Sequence, residues 1–436
     1  MKQPKYARAA GLGCLMGALL LTAFAWTLSP AAIADDNQEA PVGWTATWAT
    51  ASKIASPFDG PLPVFNDTTL RQIVRVSLGG NRVRVWLTNE FGTAPLAIDS
   101  ARVALREEGS TIAAGSDRAL TFGGETTVTI AAGARVVSDP VYLRVEKRGE
   151  LAISIHLGDL SASTSPVSYH VRALQTSYLA GGNQTAAIDL VGAEPITQWY
   201  FLAAVDVAKK GEAAPVIAAF GDSITDGDQM AFPNEPVDQN ARYTDFLAER
   251  ILRGPGDRSR AAVINLGISG NQISADFIGP NGQARLNRDV LTQTGVSHLI
   301  VIEGINDIGL PGLLTILGIP TPPIEAEQII SAHQQIIARA RARGIYVIGG
   351  TLSPAGSSGL PGYFGPEAEE KRQQVNHWIR TSRAYDVVVD FDRLLRDPKD
   401  PTVMRADLTA DGLHPNSRGY RLMAKAVYRA LYANDH

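Results

Sequence analysis

Apolar and polar side chains alternate in many short runs between about residues 42 and 207. Two such runs, at residues 74–78 and 82–87, flank a Gly-Gly-Asn turn sequence and predict a β-hairpin. Many short alternating runs separated by polar turns are typical of two packed antiparallel sheets. We therefore predict an antiparallel β-sandwich, with a jelly-roll-like arrangement, for residues 35–207.

The pattern changes after a short polar segment at residues 208–214, which we interpret as a linker. Beyond it, continuous apolar runs of strand length alternate with segments of helical periodicity, such as the one from Ile329 to Ala340 that ends before Gly344. Buried strands separated by helices are typical of a parallel sheet with helices on both faces. We predict such an α/β domain for residues 215–436. Its five strands are expected at residues 216–220, 262–266, 298–302, 345–348 and 387–389.

The N-terminus has the pattern of a targeting segment. Three basic residues within the first eight positions precede an apolar run that ends near Leu28, and a small-x-small pattern follows at residues 32–34. This order predicts a secretory signal peptide over residues 1–34. A retained membrane anchor and a lipoprotein attached through Cys14 are alternatives, disfavoured by the short apolar run and by the poor lipobox at residues 11–13. We expect a secreted or periplasmic protein without stable membrane insertion after cleavage.

The composition of the chain excludes several kinds of function. Its 436 residues are 19% charged, and a net charge of −4 gives no electrostatic footprint for nucleic acid. The only cysteine, Cys14, lies in the predicted signal peptide, which excludes a cysteine nucleophile, a thiolate metal site and disulfides from the mature chain. No His-Glu-x-x-His or phosphate-binding glycine motif occurs. We expect no metal and no cofactor, and interpret Asp222 and Asp226 as side chains that brace a turn.

Chemically useful residues follow four of the five predicted parallel strands. Ser223 comes after the first strand, Gly270 after the second and Asn306 after the third. Asp411 and His414 come after the fifth strand, before the last predicted helix. Ligands of open parallel sheets bind beyond the carboxyl ends of the strands, so we expect these residues to converge on one rim.

This set of residue types suits acyl transfer. A serine hydroxyl is a weak nucleophile until a base accepts its proton, and His414 can be that base for Ser223. Asp411 can fix the tautomer of His414 and stabilise its protonated form. The oxyanion of the tetrahedral intermediate needs hydrogen-bond donors. The candidate donors are the backbone N–H groups of Ser223 and Gly270 and the side-chain amide of Asn306.

These segments resemble the four sequence blocks of the SGNH (GDSL) hydrolase superfamily, in the same order, over roughly half of the chain. The resemblance implies a flavodoxin-like α/β domain and esterase activity without a metal or organic cofactor, and the preceding β-domain is similar to that of a xylan-esterase-like subgroup. The Gly-x-Ser-x-Gly elbow of α/β-hydrolases is absent. One departure is Glu303, where many relatives have a small residue. The resembling segments are Gly221-Asp222-Ser223, Gly270, Asn306 and Asp411-x-x-His414.

The sequence leaves three functions open. The first is a secreted esterase for small-molecule or carbohydrate esters with short acyl chains. The second is a lipase or lysophospholipase, in which apolar residues 310–323 line an acyl pocket or form a lid instead of packing as a helix against the sheet. The third is a carbohydrate-binding protein with an inactive hydrolase scaffold. The presence of both Ser223 and His414 argues against this third function, because an inactive scaffold would be expected to have lost one of them.

Overall fold

Short antiparallel strands make up the first part of the computed structural model, residues 42–210, here called the β-rich half. The predicted signal peptide, residues 1–34, lies outside the described residues. The described residues are 42–432 without 57, 231–234, 257–259 and 320. The strands of the β-rich half are β1 (Val42–Ala49), β2 (Thr68–Arg75), β3 (Gly80–Thr88), β4 (Leu96–Ile98), β5 (Ser100–Leu105), β6 (Arg118–Ala119), β7 (Val128–Ile130), β8 (Arg135–Val137), β9 (Val141–Val145), β10 (Glu150–Leu157), β11 (Tyr169–His170), β12 (Ser177–Gly181), β13 (Glu194–Ile196), β14 (Trp199–Tyr200) and β15 (Leu202–Lys210).

These strands form two main sheets that enclose one apolar cluster. One sheet has the order β1-β15-β3-β8, with β9 also paired to β3, and the other has the order β13-β12-β2-β10-β5-β6. Leu70, Val85 and Ile153 come from both sheets and belong to the same buried cluster. Two further pairs, β4 with β7 and β11 with β14, complete the half. The predicted antiparallel β-structure is confirmed.

The predicted hairpin at residues 74–87 is wrong, because its two strands belong to different sheets. β2 lies between β12 and β10, whereas β3 pairs with β15, and the chain crosses between the sheets at residues 76–79. The glycines allow close packing instead of a tight turn: a Cβ on Gly79 would lie 2.3 Å from the carbonyl oxygen of Val145.

Five parallel strands flanked by helices make up the α/β half, residues 216–432, with the order β17-β16-β18-β19-β20. The five predicted strands and the predicted architecture are confirmed. The strands are β16 (Val216–Gly221), β17 (Ala262–Gly267), β18 (Val296–Ile302), β19 (Tyr346–Gly350) and β20 (Val387–Val389). The helices are α1 (Ser223–Asp226), α2 (Tyr243–Leu252), α3 (Gly282–Leu286) with a π-helical turn (Asn287–Leu291), α4 (Ile305–Ile316), α5 (Ala326–Arg341), α6 (Pro366–Thr381), α7 (Phe391–Leu395) and α8 (Ser417–Leu431).

The parallel sheet is buried on both faces, as its continuous apolar runs predict. Alternate residues of β16 belong to different buried clusters. Ala218 and Phe220 pack with residues of α5 and α6, and Ile217 and Ala219 pack with residues of α2 and α8. The carboxyl end of the sheet is therefore held firmly between two layers of helices.

The β-rich half and the α/β half share buried surface. Ala46 and Ala49 of β1 belong to the same apolar cluster as Phe220 of β16, and the N–H of Ala46 donates to the carbonyl oxygen of Thr294 (3.0 Å). The described residues from 42 to 432 accordingly form one compact unit. The proposed division into residues 35–207, 208–214 and 215–436 stays a prediction, and β15 continues to Lys210, three residues into the predicted linker.

The hydroxyl of Ser77 connects the β-rich half to the edge strand β17. It accepts a hydrogen bond from the N–H of Val263 (3.0 Å) and donates one to the carbonyl oxygen of Thr47 (2.8 Å). Ser77→Ala would leave the buried N–H of Val263 unpaired, at a cost of about 1–3 kcal/mol. We expect a lower melting temperature by calorimetry than in Ser163→Ala, a control that removes an exposed hydroxyl. Equal melting temperatures in the two variants would contradict this role of Ser77.

Candidate active site

Ser223 begins α1 directly beyond the end of β16. Asp222 caps this helix: its Oδ1 accepts a hydrogen bond from the N–H of Ile224 (3.0 Å). Gly221 is needed for the tight turn, since a Cβ there would lie 2.2 Å from the carbonyl oxygen of Ile302 and 2.3 Å from the hydroxyl of Thr225. The turn therefore holds the serine hydroxyl in one place at the rim of the sheet.

The structure brings Ser223, His414 and Asp411 into one hydrogen-bonded chain. Nε2 of His414 lies 2.9 Å from Oγ of Ser223, and Nδ1 of His414 lies 2.7 Å from Oδ2 of Asp411. The other oxygen of Asp411 accepts the backbone N–H groups of Leu413 (3.0 Å) and His414 (2.8 Å). The loop thus positions its own carboxylate, and the carboxylate orients the imidazole towards a serine 191 positions away.

The electrostatics of these three hydrogen-bonded residues favour proton uptake by His414 beside an ionised Asp411. Burial alone would lower the pKa of His414, but the hydrogen bond with Asp411 and the nearby Asp228 carboxylate outweigh it and raise the pKa above its ordinary value of 6.5. Burial alone would raise the pKa of Asp411, but the hydrogen bond with His414 outweighs it and lowers the pKa below 3.8. The pair can therefore accept and hold a proton from Ser223.

The predicted hydrogen-bond donors line the same cleft as Ser223. Gly270 has a φ of +79°, and a Cβ there would lie 2.5 Å from the Ile278 side chain, so the loop after β17 requires glycine at this position. Asn306 is the second residue of α4 and is buried. Its Oδ1 accepts a hydrogen bond from the hydroxyl of Tyr363 (2.8 Å), a residue that the sequence analysis missed.

Asp226 braces the nucleophile turn, as expected from the sequence. Its Oδ2 accepts both the N–H and the hydroxyl of Ser269 (3.0 Å each), in the loop that carries Gly270. Its Oδ1 lies 3.1 Å from Nε2 of His170, on β11 of the β-rich half. Burial alone would raise the pKa of Asp226, but the interactions with His170 outweigh it and lower the pKa. Asp226 thus joins the nucleophile turn, the next loop and the β-rich half.

Glu303, the departure noted in the sequence, is fully buried behind this rim. Its Oε2 lies 3.2 Å from Nη2 of Arg285, and its Oε1 has no hydrogen-bond partner among the described residues. Burial raises the pKa of Glu303 well above its ordinary 4.5, against the opposing effect of Arg285. Burial also raises the pKa of Asp222 to about 7 and that of Asp307 to about 6. The three buried acids behind the rim, Glu303, Asp222 and Asp307, are therefore harder to ionise than exposed carboxyl groups.

A cleft of about 640 Å³ opens above Ser223 and His414. Its walls come from both halves of the chain. Leu310 of α4 lines the cleft, whereas Ile316 and Leu317 at the end of α4 are 61% and 54% exposed. The apolar stretch 310–323 therefore packs in its first part and is exposed in its second part, with residue 320 outside the described residues. The β-rich half contributes Phe58, Asp59, Val171, Arg172, Leu174, Thr197 and Gln198.

In the part of the chain that the structure describes, no group of three or more His, Cys, Asp or Glu side chains is placed to hold a metal ion. Among the helices of that part, none has both the length and the apolar composition needed to cross a bilayer.

A five-stranded parallel sheet with a Ser–His–Asp chain beyond its carboxyl end defines an α/β domain of the serine-hydrolase type. Residues 219–422 match the model of the GDSL-like lipase/acylhydrolase family. The α/β half of this chain belongs to that family, and the resemblance noted from the sequence blocks is confirmed. The chain is therefore of the esterase and acylhydrolase type.

Solved structures resemble about half of the chain. A carbohydrate acetylesterase from Sinorhizobium meliloti is 17% identical over 50% of this chain and 99% of its own, with a TM-score of 0.39. The native aryl esterase of M. smegmatis is 18% identical with the same coverage and TM-score. An acetyl xylan esterase is 20% identical over 50% of this chain and 99% of its own, with a TM-score of 0.36. No curated protein matches the chain significantly.

The contact between Asp411 and His414 predicts a measurable titration shift. Asp411→Asn removes the negative charge and the charged hydrogen bond that raise the pKa of His414, while burial still lowers it. We expect the pKa of His414, followed by NMR of the imidazole Cε1–H, to fall in this variant. Asp407→Asn, which changes an exposed carboxylate of the same segment, should leave it unchanged. An unchanged or higher pKa in Asp411→Asn would contradict the assigned interaction.

Proposed function

We propose that this protein is a secreted serine esterase that hydrolyses carboxylic esters through an acyl-enzyme. The observation that carries this proposal is the hydrogen-bonded chain from Ser223 through His414 to Asp411, with distances of 2.9 Å and 2.7 Å. Both distances lie within hydrogen-bonding range for a nucleophile, its base and the group that orients the base. Secretion rests on the predicted signal peptide over residues 1–34.

The first half-reaction acylates the serine. Oγ of Ser223 attacks the ester carbonyl carbon as its proton passes to Nε2 of His414, and the carbonyl π electrons move to the oxygen. The N–H groups of Ser223 and Gly270 and the amide of Asn306 donate to this oxyanion. When the carbon–oxygen single bond breaks, His414 returns the proton to the leaving alcohol.

The second half-reaction releases the acid. Water takes the place of the alcohol, gives its proton to His414 and attacks the acyl carbon, and collapse of the second intermediate returns the proton to Oγ of Ser223. Since only the neutral imidazole accepts a proton, activity should fall as the pH drops through the raised pKa of His414. The acid limb of kcat/KM should therefore lie above pH 6.5.

Ser223→Ala tests the central assignment. The variant should lose turnover of p-nitrophenyl acetate by about 10⁴-fold or more, because no other group in the chain of hydrogen bonds can form the acyl-enzyme. It should keep its circular dichroism spectrum, and Ser163→Ala should keep full activity. Wild-type rates in purified Ser223→Ala would disprove the proposal.

For the substrate, we infer a short acyl group and a ring-shaped alcohol such as a sugar. The β-rich half supplies an aromatic rim to the cleft: Phe58 is 51% exposed, and its ring centroid lies 5.8 Å from that of Phe277. Its neighbour Asp59 is anchored by the buried amine of Lys53 and by the hydroxyl of Tyr169 (2.7 Å). A solvent-exposed aromatic ring on a fixed loop is suited to contact with a flat or ring-shaped group.

Phe58→Ala tests this preference without disturbing the shared core. We expect kcat/KM for phenyl acetate and acetylated sugars to fall by about 5-fold, as for the loss of one aromatic contact, and that for ethyl acetate to change much less. Ile188→Ala is the matched control, because Ile188 is also 51% exposed in the β-rich half but does not line the cleft. Equal losses on ring-shaped and acyclic acetates would exclude a role of Phe58 in specificity.

A lipase or lysophospholipase remains the second candidate, favoured by the exposed apolar side chains Ile316 and Leu317 at the end of α4. A series of p-nitrophenyl esters of increasing chain length, with phospholipid alongside, separates the two. Activity that falls beyond the shortest acyl chains supports the esterase, and activity that rises with chain length supports the lipase.

A further inference from the structure

The side-chain amide of Asn306 is held in a single orientation by two neighbours. Its Nδ2 donates to the backbone carbonyl oxygen of Asn271 (2.9 Å), and its Oδ1 accepts from the hydroxyl of Tyr363 (2.8 Å). A carbonyl oxygen can only accept, so a flipped amide would place two acceptors against each other at Asn271. One N–H of Nδ2 is thus committed to Asn271, and the other is the donor left for the cleft.

The ring of Tyr363 lies directly against α4, one turn beyond Asn306. A Cβ on Gly309 would lie 2.4 Å from Cζ of this ring, and one on Gly312 would lie 2.1 Å from the carbonyl oxygen of Gly362. Positions three apart share a helix face, so α4 presents the amide and then two glycines to the segment that carries the tyrosine. The missing side chains let the tyrosine hydroxyl reach back to the amide oxygen.

The hydroxyl of Tyr363 is a permanent donor in this place. Tyr363 is buried, and burial, aided by the carboxylates of Asp222 and Asp307, raises its pKa well above 10. Deprotonation would also set a phenolate against the amide oxygen of Asn306. The hydroxyl therefore donates to Oδ1 throughout the pH range of the proposed reaction.

The geometry points to Tyr363 as a positioning residue that aims the amide N–H of Asn306 at the oxyanion, through a hydrogen bond that Gly309 makes room for. This role rests on the proposed esterase function. It differs from the roles of Ser223, His414 and Asp411, since Tyr363 acts on the reaction only through the orientation of Asn306. Loss of the hydroxyl leaves Oδ1 unpaired and the amide held by Asn271 alone, so the direction of its second N–H is less restricted.

A double-mutant cycle between Tyr363 and Asn306 tests the inference with p-nitrophenyl acetate. Tyr363→Phe keeps the ring and removes one hydrogen bond, so we expect kcat to fall on the order of 10-fold with little change in KM. Asn306→Ala should lower kcat by roughly 10²–10³-fold. In the Asn306→Ala background, Tyr363→Phe should have almost no further effect, because there is no amide left to orient.

The control separates this role from a loss of stability. Tyr385→Phe also removes a buried hydroxyl, one that lies 2.6 Å from Nδ1 of His333, outside the cleft. It should lower the melting temperature but leave kcat unchanged at a temperature where both variants are folded. Gly309→Ala, which displaces the ring and keeps the hydroxyl, should lower kcat in the wild-type background and not in the Asn306→Ala background.

Two results would overturn the inference. If Tyr363→Phe lowers kcat by the same factor with and without Asn306, the hydroxyl acts on the substrate or on the fold and not through the amide. If Tyr363→Phe leaves kcat unchanged in the otherwise wild-type protein, the hydrogen bond from Tyr363 does not position the amide of Asn306. Neither result touches the proposed function, which fails only if Ser223→Ala remains active.

Discussion

The structure of the active-site rim depends on the hydrogen bonds of one buried guanidinium group, that of Arg285. Its side chain has no exposed surface and lies 3.9 Å above the ring of Phe220. A buried charge costs several kcal/mol unless it is paired and hydrogen-bonded, so each N–H here needs a partner. The partners are the carbonyl oxygens of Gly221 (2.8 Å) and Leu266 (2.7 Å), Oδ1 of Asn271 (2.7 Å), Oδ2 of Asp289 (3.2 Å) and Oε2 of Glu303 (3.2 Å). One cation thus joins the carboxyl ends of β16 and β17 to the start of the next loops.

Asn271 carries this constraint from the core to the cleft. Its Oδ1 accepts a hydrogen bond from Arg285, and its backbone carbonyl oxygen accepts one from Nδ2 of Asn306. Its own Nδ2 donates to the carbonyl oxygens of Ile278 (3.1 Å) and Pro280 (2.9 Å). The loop that carries Gly270 is therefore fixed at both ends, and the amide of Asn306 is fixed against it. Preorganised donors are effective because they need no reorganisation as charge develops.

Local pattern in the sequence was enough to predict the five parallel strands and the convergence of Ser223, His414 and Asp411, because the rim of a parallel sheet follows from strand order and polarity. It was not enough for contacts that depend on distant partners. The hairpin predicted at residues 74–87 was wrong because alternation of apolar and polar residues identifies strands but not the strands they pair with. The glycine at its expected turn, Gly79, packs against β9 instead. Tyr363 was missed because its role depends on a hydrogen bond across 57 positions, although the glycines spaced from Asn306 were a usable signal.

The β-rich half is part of the charge distribution around the nucleophile and not a detachable module. His170 forms a hydrogen bond with Asp226 in the nucleophile turn. The guanidinium of Arg172 forms an ion pair with Asp228, whose carboxylate helps to raise the pKa of His414. Removal of one partner from a buried pair leaves an uncompensated group, which is more costly than the pair itself is stabilising. Loss of the β-rich half would therefore remove His170 from Asp226 and Arg172 from Asp228, and both carboxylates would keep the hydroxyl of Ser269 as a partner. These contacts couple the proposed base, His414, to the β-rich half, which also lines the cleft above Ser223.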